Sequence, residues 1–358
     1  MRFIHTADLH IESRMEMLPS EKSRLRRDEI LRTFEKLVDY ANDNSVRAII
    51  IAGDMFDVNK ISLKTKQRVL SAIKKYPQID FLYVSGNHDQ NNHVFCQDEL
   101  PNNFIVFSDE WKSVEYDDCV LMGAVLNSIN SKTLYDTLRL DEQKINIVFM
   151  HGQVAGYKAY EQTEIISIPL LKDKNVDYLA LGHIHSYSTG NIDKRGTFAY
   201  SGCLDGRGFD ELGEKGFVLL DCENKKVFST FVPFASRTLY EFEYDVADSE
   251  NFFELADKIV LDLSSKIDAN SLVKVVLKGK HKLDYFVDTF ALSQKLNDIF
   301  FFARIYDKTQ LEISLSDYEL DKSVKGEFVR VVFESNLSDE EKNKIIACGL
   351  SALSGEVV

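Results

Sequence analysis

Four stretches of the chain are apolar without interruption: RAIIIAGD (47–54), DFLYVSGNHD (80–89), INIVFMHG (145–152) and VDYLALGH (176–183). A run with no polar alternation suits a strand covered on both faces. Between the runs the period changes. In residues 21–43, Ile30, Phe34, Leu37, Val38 and Ala41 recur at helical spacing, and residues 62–76 carry Val69, Leu70 and Ile73 ahead of Pro77. Shorter strands are expected at NFIVF, CVLMGAV, TFAYSG, GFVLLD and KVFSTFV. Alternating strands and helices that give way to mostly strands predict layered sheets flanked by helices. No internal repeat or low-complexity segment interrupts the pattern.

The texture changes around PFASRT (233–238). A strand candidate (TLYEFEYDV) is followed by a helix over 249–266, a strand (SLVKVVLKG), a helix over 284–299, a strand (FFARIYD) and two terminal helical stretches. In the last of these Ser338 precedes Glu341 by three residues, a capping-box spacing before Ile345, Ile346, Leu350 and Leu353. The chain is therefore read as a domain over 1–235 and a smaller α+β domain over 236–358.

A length of 358 residues suits two domains, and 44% apolar residues argue against disorder. No run reaches the roughly 18 apolar residues of a membrane-spanning helix, and the start lacks an apolar leader core, so the expected place is the cytoplasm. Cys96, Cys119, Cys203, Cys222 and Cys348 are scattered and never in Cys-x-x-Cys spacing, as in a reduced protein without a structural zinc knot. A net charge of −14 opposes bulk attraction to nucleic acid, and residues 237–358 carry 15 Lys and Arg against 23 Asp and Glu. The one basic cluster, SEKSRLRRDEILR with Lys22, Arg24, Arg26, Arg27 and Arg32, reads equally as a solvated helix face or a phosphate-contacting one.

The chemistry sits where the apolar runs stop. The opening MRFIHTADLH places Asp8 and His10 two apart, on one side if the backbone stays extended. The four runs end at Asp54, at Asn87 and His88, at His151, and at His183 and His185. Ligands of an α/β sheet collect at strand carboxyl ends, so these residues can converge. Asp8, His10, Asp54, Asn87, His151, His183 and His185 offer more donors than one tetrahedral zinc needs, which points to two ions sharing a carboxylate. Oxygen and imidazole without thiolate favours Mn²⁺, with Fe, Zn and Mg as alternatives. Such a pair binds a phosphate ester and activates water. Gly53, Gly86, Gly152 and Gly182 flank the donors, where sharp turns and an approaching phosphate call for glycine. His5, His93 and His281 lie outside the motifs and read as surface or packing residues.

The ordered series DxH, GDxxD, GNHD, H-G and GHxH over roughly residues 1–205 resembles the calcineurin-like metallophosphoesterases. GNHD in place of GNHE, and no Arg directly after GDMFD, separate it from the Ser/Thr protein phosphatases. HTADLH, YSGCLDGRGFDELGEKGFVLLD and the appended domain resemble the nuclease subunit of the bacterial SbcCD complex and its DNA-repair relatives, including the YhaO-type branch. The resemblance implies a four-layer α/β/β/α core with a smaller C-terminal α+β capping domain. It implies that Asp8, His10 and His185 hold one ion, Asn87, His151 and His183 the other, and that Asp54 bridges. His88 would be the non-ligand catalytic histidine and Asp89 would orient it or a nearby loop. Asp57 stands where some relatives have a second histidine, so that role is open and Asp57 becomes a candidate outer partner of an imidazole.

Several residues keep two readings. Arg207 is a candidate phosphate contact or a loop ion pair with Asp205 or Asp210. Cys203 as a nucleophile is disfavoured. Tyr157, Tyr160 and Tyr187 follow ligands and could stack on bases, although packing is the commoner use. The expected activity is two-metal hydrolysis of DNA phosphodiesters in repair or recombination, exonucleolytic with endonucleolytic cutting left open. DNA ends or single strands and an SbcC-like coiled-coil ATPase are the implied partners, a homodimer is an option, and no membrane is involved. The alternatives are a small-substrate phosphodiesterase or phosphatase, or a scaffold subunit for the ATPase.

Overall fold

The computed structural model describes residues 1–57, 61–88, 100–156, 164–282, 285–312, 316 and 318–353. The chain divides into two compact units, Met1–Thr238 and Leu239–Val358. In chain order the first contains β1 (Arg2–Thr6), α1 (Ser20–Asp43), β2 (Ala48–Ala52), α2 (Leu63–Lys75), β3 (Asp80–Val84), β4 (Phe104–Val106), β5 (Lys112–Tyr116), β6 (Cys119–Gly123), α3 (Leu134–Thr137), β7 (Ile145–His151), β8 (Gln153–Val154), β9 (Ile165–Ile166), β10 (Tyr178–Gly182), β11 (Ser188–Asn191), β12 (Thr197–Tyr200), β13 (Gly216–Glu223) and β14 (Lys226–Pro233). They build two six-stranded sheets, ordered β14-β13-β1-β2-β3-β4 and β11-β12-β10-β7-β6-β5.

The four apolar runs become β2, β3, β7 and β10, the parallel centres of the two sheets. β2, β7 and β10 are buried along their whole length because both of their faces are covered. Between the sheets, Phe3, Ile50, Leu82 and Val84 meet Leu121, Ile147, Phe149 and Ala180. The outer face of the first sheet lies under helices, with Phe34 of α1 on Phe81 and Tyr40 on Phe217. Leu134, Tyr135 and Leu171 cover Val148, Met150, Leu179 and Leu181 on the outer face of the second. The layers are thus α/β/β/α. His5 is buried between the sheets, its Nδ1 2.9 Å from the Tyr178 hydroxyl and its Nε2 3.1 Å from the Leu181 carbonyl. Burial lowers its pKa to about 3, which keeps the ring neutral as this packing role requires.

The basic cluster of α1 does not form one patch. Arg26 is fully buried, whereas Arg24 and Arg27 are exposed and Arg32 pairs with Asp28 at 2.7 Å. The Arg26 guanidinium donates to Asp205 Oδ1 and Glu29 Oε2, each at 2.8 Å, to the Gly206 carbonyl and to Ser236 Oγ. Thr33 Oγ1 and the Ser236 amide complete the shell of Asp205. A buried guanidinium is tolerable only with this degree of pairing. Here it ties α1 to the loop that follows β12.

The second unit contains β15 (Leu239–Asp245), α4 (Phe252–Lys266), β16 (Leu272–Lys278), β17 (Lys280–His281), α5 (Thr289–Ile299), β18 (Phe302–Asp307), β19 (Gln310–Leu311), α6 (Val324–Phe333) and α7 (Asp339–Leu353). Strands β15, β16 and β18 make a parallel sheet whose core, Val273, Val275 and Leu277, packs on Leu255, Ile259 and Leu263 of α4 and Leu292 and Leu296 of α5. α5 begins later than the expected 284, because Asp288 caps it by accepting from the Ala291 amide at 2.8 Å. Ser338 and Glu341 form a capping box before α7, the Ser338 amide donating to Glu341 Oε2 at 2.9 Å. Ile346 and Leu350 pack on Val329 and Val332 of α6.

Arg26→Met leaves Asp205 and Glu29 without their shared cation and should cost about 3–5 kcal/mol in urea unfolding; a loss below about 1 kcal/mol would refute the network's structural weight. Glu29 also accepts from Arg237 at 2.7 and 2.9 Å. Burial raises its carboxyl, but the Arg237 and Arg26 hydrogen bonds outweigh burial and hold it below its ordinary 4.5. Its contribution is therefore complete above that value and lost as pH falls through the folded one. The stability gap between wild type and Glu29→Gln should shrink from pH 7 toward pH 3, as read by thermal melting across pH.

Candidate metal centre

The donors gather at the carboxyl edge of both sheets. Asp8 and His10 follow β1, Asp54 follows β2, Asn87 and His88 follow β3, His151 ends β7, and His183 and His185 follow β10. The way they converge differs from simple strand alternation. Asp8, His10, Asp54 and His183 lie beyond their strands with φ of 51°, 43°, 49° and 106°. Left-handed backbone at non-glycine residues is costly and persists where surrounding structure enforces it. Here the chain leaves each strand by a sharp turn that aims the side chain inward.

Among the described residues, three sets have ligand atoms all within 4.8 Å of one another: Asp8, His10 and His185; Asp54, His151 and His183; and His10, Asp57 and His88. His10 Nε2 and His185 Nε2 are 3.1 Å apart. Asn87 Oδ1 lies 2.9 Å from His151 Nε2 and 3.2 Å from His183 Nδ1. Asp54 Oδ2 stands between the two sets, 3.3 Å from His151 Nε2 and 4.0 Å from His10 Nε2. The geometry brings all seven expected donors together. Asp89, Tyr157, Tyr160, His93 and Cys96 lie outside the described residues.

Cross-sheet hydrogen bonds hold the donors. The Asp8 carboxylate accepts the His183 amide at 2.9 and 3.1 Å, and His151 Nδ1 donates to the Ala52 carbonyl at 2.9 Å. The His88 amide donates to Asp54 Oδ1 at 3.0 Å. Two of the glycines serve this packing and not an approaching phosphate. A Cβ on Gly53 would fall on the His151 ring, and one on Gly182 would fall on the Ala52 carbonyl.

Three residues stand behind the donors, of which Asp57 and Arg207 were candidates from the sequence. Asp57 Oδ1 lies 3.1 Å from His10 Nδ1 and 3.4 Å from His88 Nδ1. Glu211 Oε1 lies 2.8 Å from His185 Nδ1. Arg207 pairs with Glu211 and Asp57 and not with Asp205, which belongs to Arg26, or Asp210. Glu211 escaped the sequence reading, where its position in GFDELGEKG showed only one acid among several. Cys203 is buried, and burial pushes its thiol well up, which removes it as a nucleophile. Tyr187 is stacked on Phe231, with ring centroids 4.6 Å apart.

The electrostatics suit divalent cations. Burial pushes the Asp8 carboxyl up to about 6, against the pull of His185 and His151. Burial lowers His10 to about 3, and the positive charge of Arg207 adds to it, leaving the imidazole neutral as a ligand must be. Burial raises Asp57, but the hydrogen bond from His10 and the charge of Arg207 bring it to about 2. Buried carboxylates, an amide and imidazoles at mutual van der Waals distance, with no thiolate, fit hard or borderline divalent ions. Beside them a cleft of about 960 Å³ is lined in part by Arg14, Met15, Met17, Arg27 and Gly208.

A family profile described as calcineurin-like phosphoesterase matches residues 1–187. The uncharacterized metallophosphoesterase YhaO of Bacillus subtilis (strain 168) is 26% identical over 367 aligned residues, covering 95% of this chain and 88% of that protein. The DNA double-strand break repair protein Mre11 of Saccharolobus solfataricus is 23% identical over 388 aligned residues, covering 100% of this chain and 97% of that protein. Among solved structures, a dimetal phosphatase from Danio rerio aligns with a TM-score of 0.43 at 12% identity, covering 65% of this chain and 99% of that one. No described helix is long and apolar enough to cross a membrane.

Divalent ions at these donors should stabilise the fold by mass action, about 2.7 kcal/mol per ion at a concentration 100 times its dissociation constant. Thermal melting after chelation and again with Mn²⁺ checks this, and an unchanged midpoint would count against a metal centre here.

Proposed function

The chain belongs to the calcineurin-like phosphoesterase family, hydrolases of phosphoesters that use two divalent metals, and we propose that its substrate is DNA, cut at phosphodiester bonds in repair or recombination. The observation that carries the reading is the placement of His88 beside the clustered donors, grouped with His10 and with Asp57, which also lines the neighbouring cleft. In this reading Asp8, His10 and His185 hold one ion, Asn87, His151 and His183 the other, and Asp54 bridges, with Mn²⁺ the favoured metal. When bound, the ions supply Lewis acidity for the attacking water and for the charge that builds on the phosphoryl oxygens.

The chain's own residues supply the rest. Asp57 Oδ1 lies 3.4 Å from His88 Nδ1, and in this reading it favours the proton on that nitrogen and leaves Nε2 for the leaving oxygen. His88 then stabilises or protonates the leaving 3′ oxygen, while Asp57 keeps the ring in the required tautomer. Asp89 is the further candidate for orienting His88. The backbone amide of His88, bonded to Asp54, fixes the distance between the proton donor and the bridging carboxylate. DNA as substrate draws support from relatives named DNA double-strand break repair proteins that match along the whole chain. Residues 236–358 are then the capping domain that engages DNA or an SbcC-like ATPase, and the exposed Arg14 and Arg27, which line the cleft, are cations for a strand.

Degradation of end-labelled linear duplex and single-stranded DNA in Mn²⁺ tests the reading, with a cyclic nucleotide run in parallel. His88→Ala should retain its ions and lose about 10²–10⁴-fold in rate. Turnover of the cyclic nucleotide with DNA untouched by fully metallated protein would move the assignment to small phosphodiesters.

A further inference from the structure

We propose that Arg207 is a positioning residue that sets the affinity of one ion subsite, that of Asp8, His10 and His185, for its divalent cation. The proposal rests on the two-ion assignment above and adds a control over one ion that leaves the other alone.

The geometry is a clasp with one guanidinium at its centre. Arg207 Nε and Nη2 donate to Glu211 Oε1 at 3.0 and 2.7 Å, and its Nη1 donates to Asp57 Oδ1 at 3.2 Å. Its backbone amide donates to Glu211 Oε2 at 2.6 Å. The same two carboxylate oxygens meet the two imidazoles, Glu211 Oε1 at His185 Nδ1 and Asp57 Oδ1 at His10 Nδ1. An ionised carboxylate only accepts, so each Nδ1 directs its proton to a carboxylate, and Nε2 is the nitrogen of each ring that would take an ion. The two Nε2 atoms stand 3.1 Å apart. Both nitrogens would lie within reach of one ion binding each at about 2.1 Å, so the clasp holds the two imidazoles where a shared ion could be taken.

Without the guanidinium the arrangement loses its reason to persist. The Glu211 side chain is 1% exposed and that of Asp57 19%. Two carboxylates at that depth need a cation, and Arg207 is the one they share. Its planar fork also fixes the angle between them, which a point charge cannot do. The other subsite is built differently. His151 is oriented by the Ala52 carbonyl, a backbone group that no change at Arg207 removes. Outer partners of metal-bound histidines commonly govern affinity by about 10–100-fold, so the effect should fall on one ion.

The test is ion content. Wild type, Arg207→Gln, Arg207→Lys and Arg237→Gln are stripped with chelator, dialysed against graded Mn²⁺, and read by elemental analysis and by electron paramagnetic resonance. Two neighbouring Mn²⁺ ions give an exchange-coupled spectrum and one gives the resolved hyperfine pattern of an isolated ion. Wild type should take two ions. Arg207→Gln should keep one at concentrations that saturate wild type and bind the other about 10–100-fold more weakly, with Arg207→Lys in between. Arg237→Gln removes a comparable fork on Glu29 away from the donors and should melt lower with both ions in place. Two ions of wild-type affinity in Arg207→Gln would overturn the proposal, as would equal ion loss in Arg237→Gln. Should the Gln variant fail to fold, Arg207→Lys decides: weakening of one ion supports the clasp and unchanged affinity for both overturns it. A wild type that takes fewer than two ions would instead sink the two-ion assignment.

Discussion

The first unit depends on a polar seam between two apolar sheets. Carboxylates and imidazoles are brought to the inner edge of the sandwich, where leaving them unpaired would cost several kcal/mol each. The seam avoids that by crossing between sheets: Asp8 accepts the His183 amide, His151 donates to Ala52, and His5 joins Tyr178 and the Leu181 carbonyl. Each of these bonds works only if the sheets stack in one register. The same bonds aim the donors, so the alignment of the sandwich and the geometry of the centre are one constraint.

Charge is distributed to serve that seam. With a net charge of −14, the molecule places two arginines where carboxylates are buried. Arg26 neutralises Asp205 and Glu29 and pins the loop after β12 to α1. Two residues further along that loop, Arg207 neutralises Glu211 and Asp57 behind the imidazoles. The first arginine holds the loop and the second uses it. Asp8 and Asp54 add two further carboxylates among the donors, where divalent cations suit them.

Backbone strain follows the same economy. Left-handed residues at Asp8, His10, Asp54 and His183 let short side chains turn back onto a common point, which extended backbone past the strand ends would not allow. The glycines at 53 and 182 leave room for the His151 ring and for the approach of β2 to β10. At the donors strain and small residues coincide where the two sheets meet, whereas other left-handed residues, such as Ser45, Asp117 and Asn224, sit in ordinary turns.

Uninterrupted apolar runs marked the central strands, because a strand covered on both faces has no reason to alternate, and the residue that ends each run marked the donors. Caps at Ser62, Asn251 and Ser338 set helix starts by local hydrogen bonds and were near those expected. β5 and β11 escaped notice because edge strands with exposed faces, such as KSVEY and STGN, carry no apolar run. The sequence by itself determined which segments are buried and which residue types stand at their ends, since burial and local capping act over a few neighbours. Only the tertiary structure decided that Arg207 joins Glu211 to Asp57 and that Arg26 takes Asp205. Those choices depend on residues 150 or more positions apart meeting at one place, which no local pattern encodes.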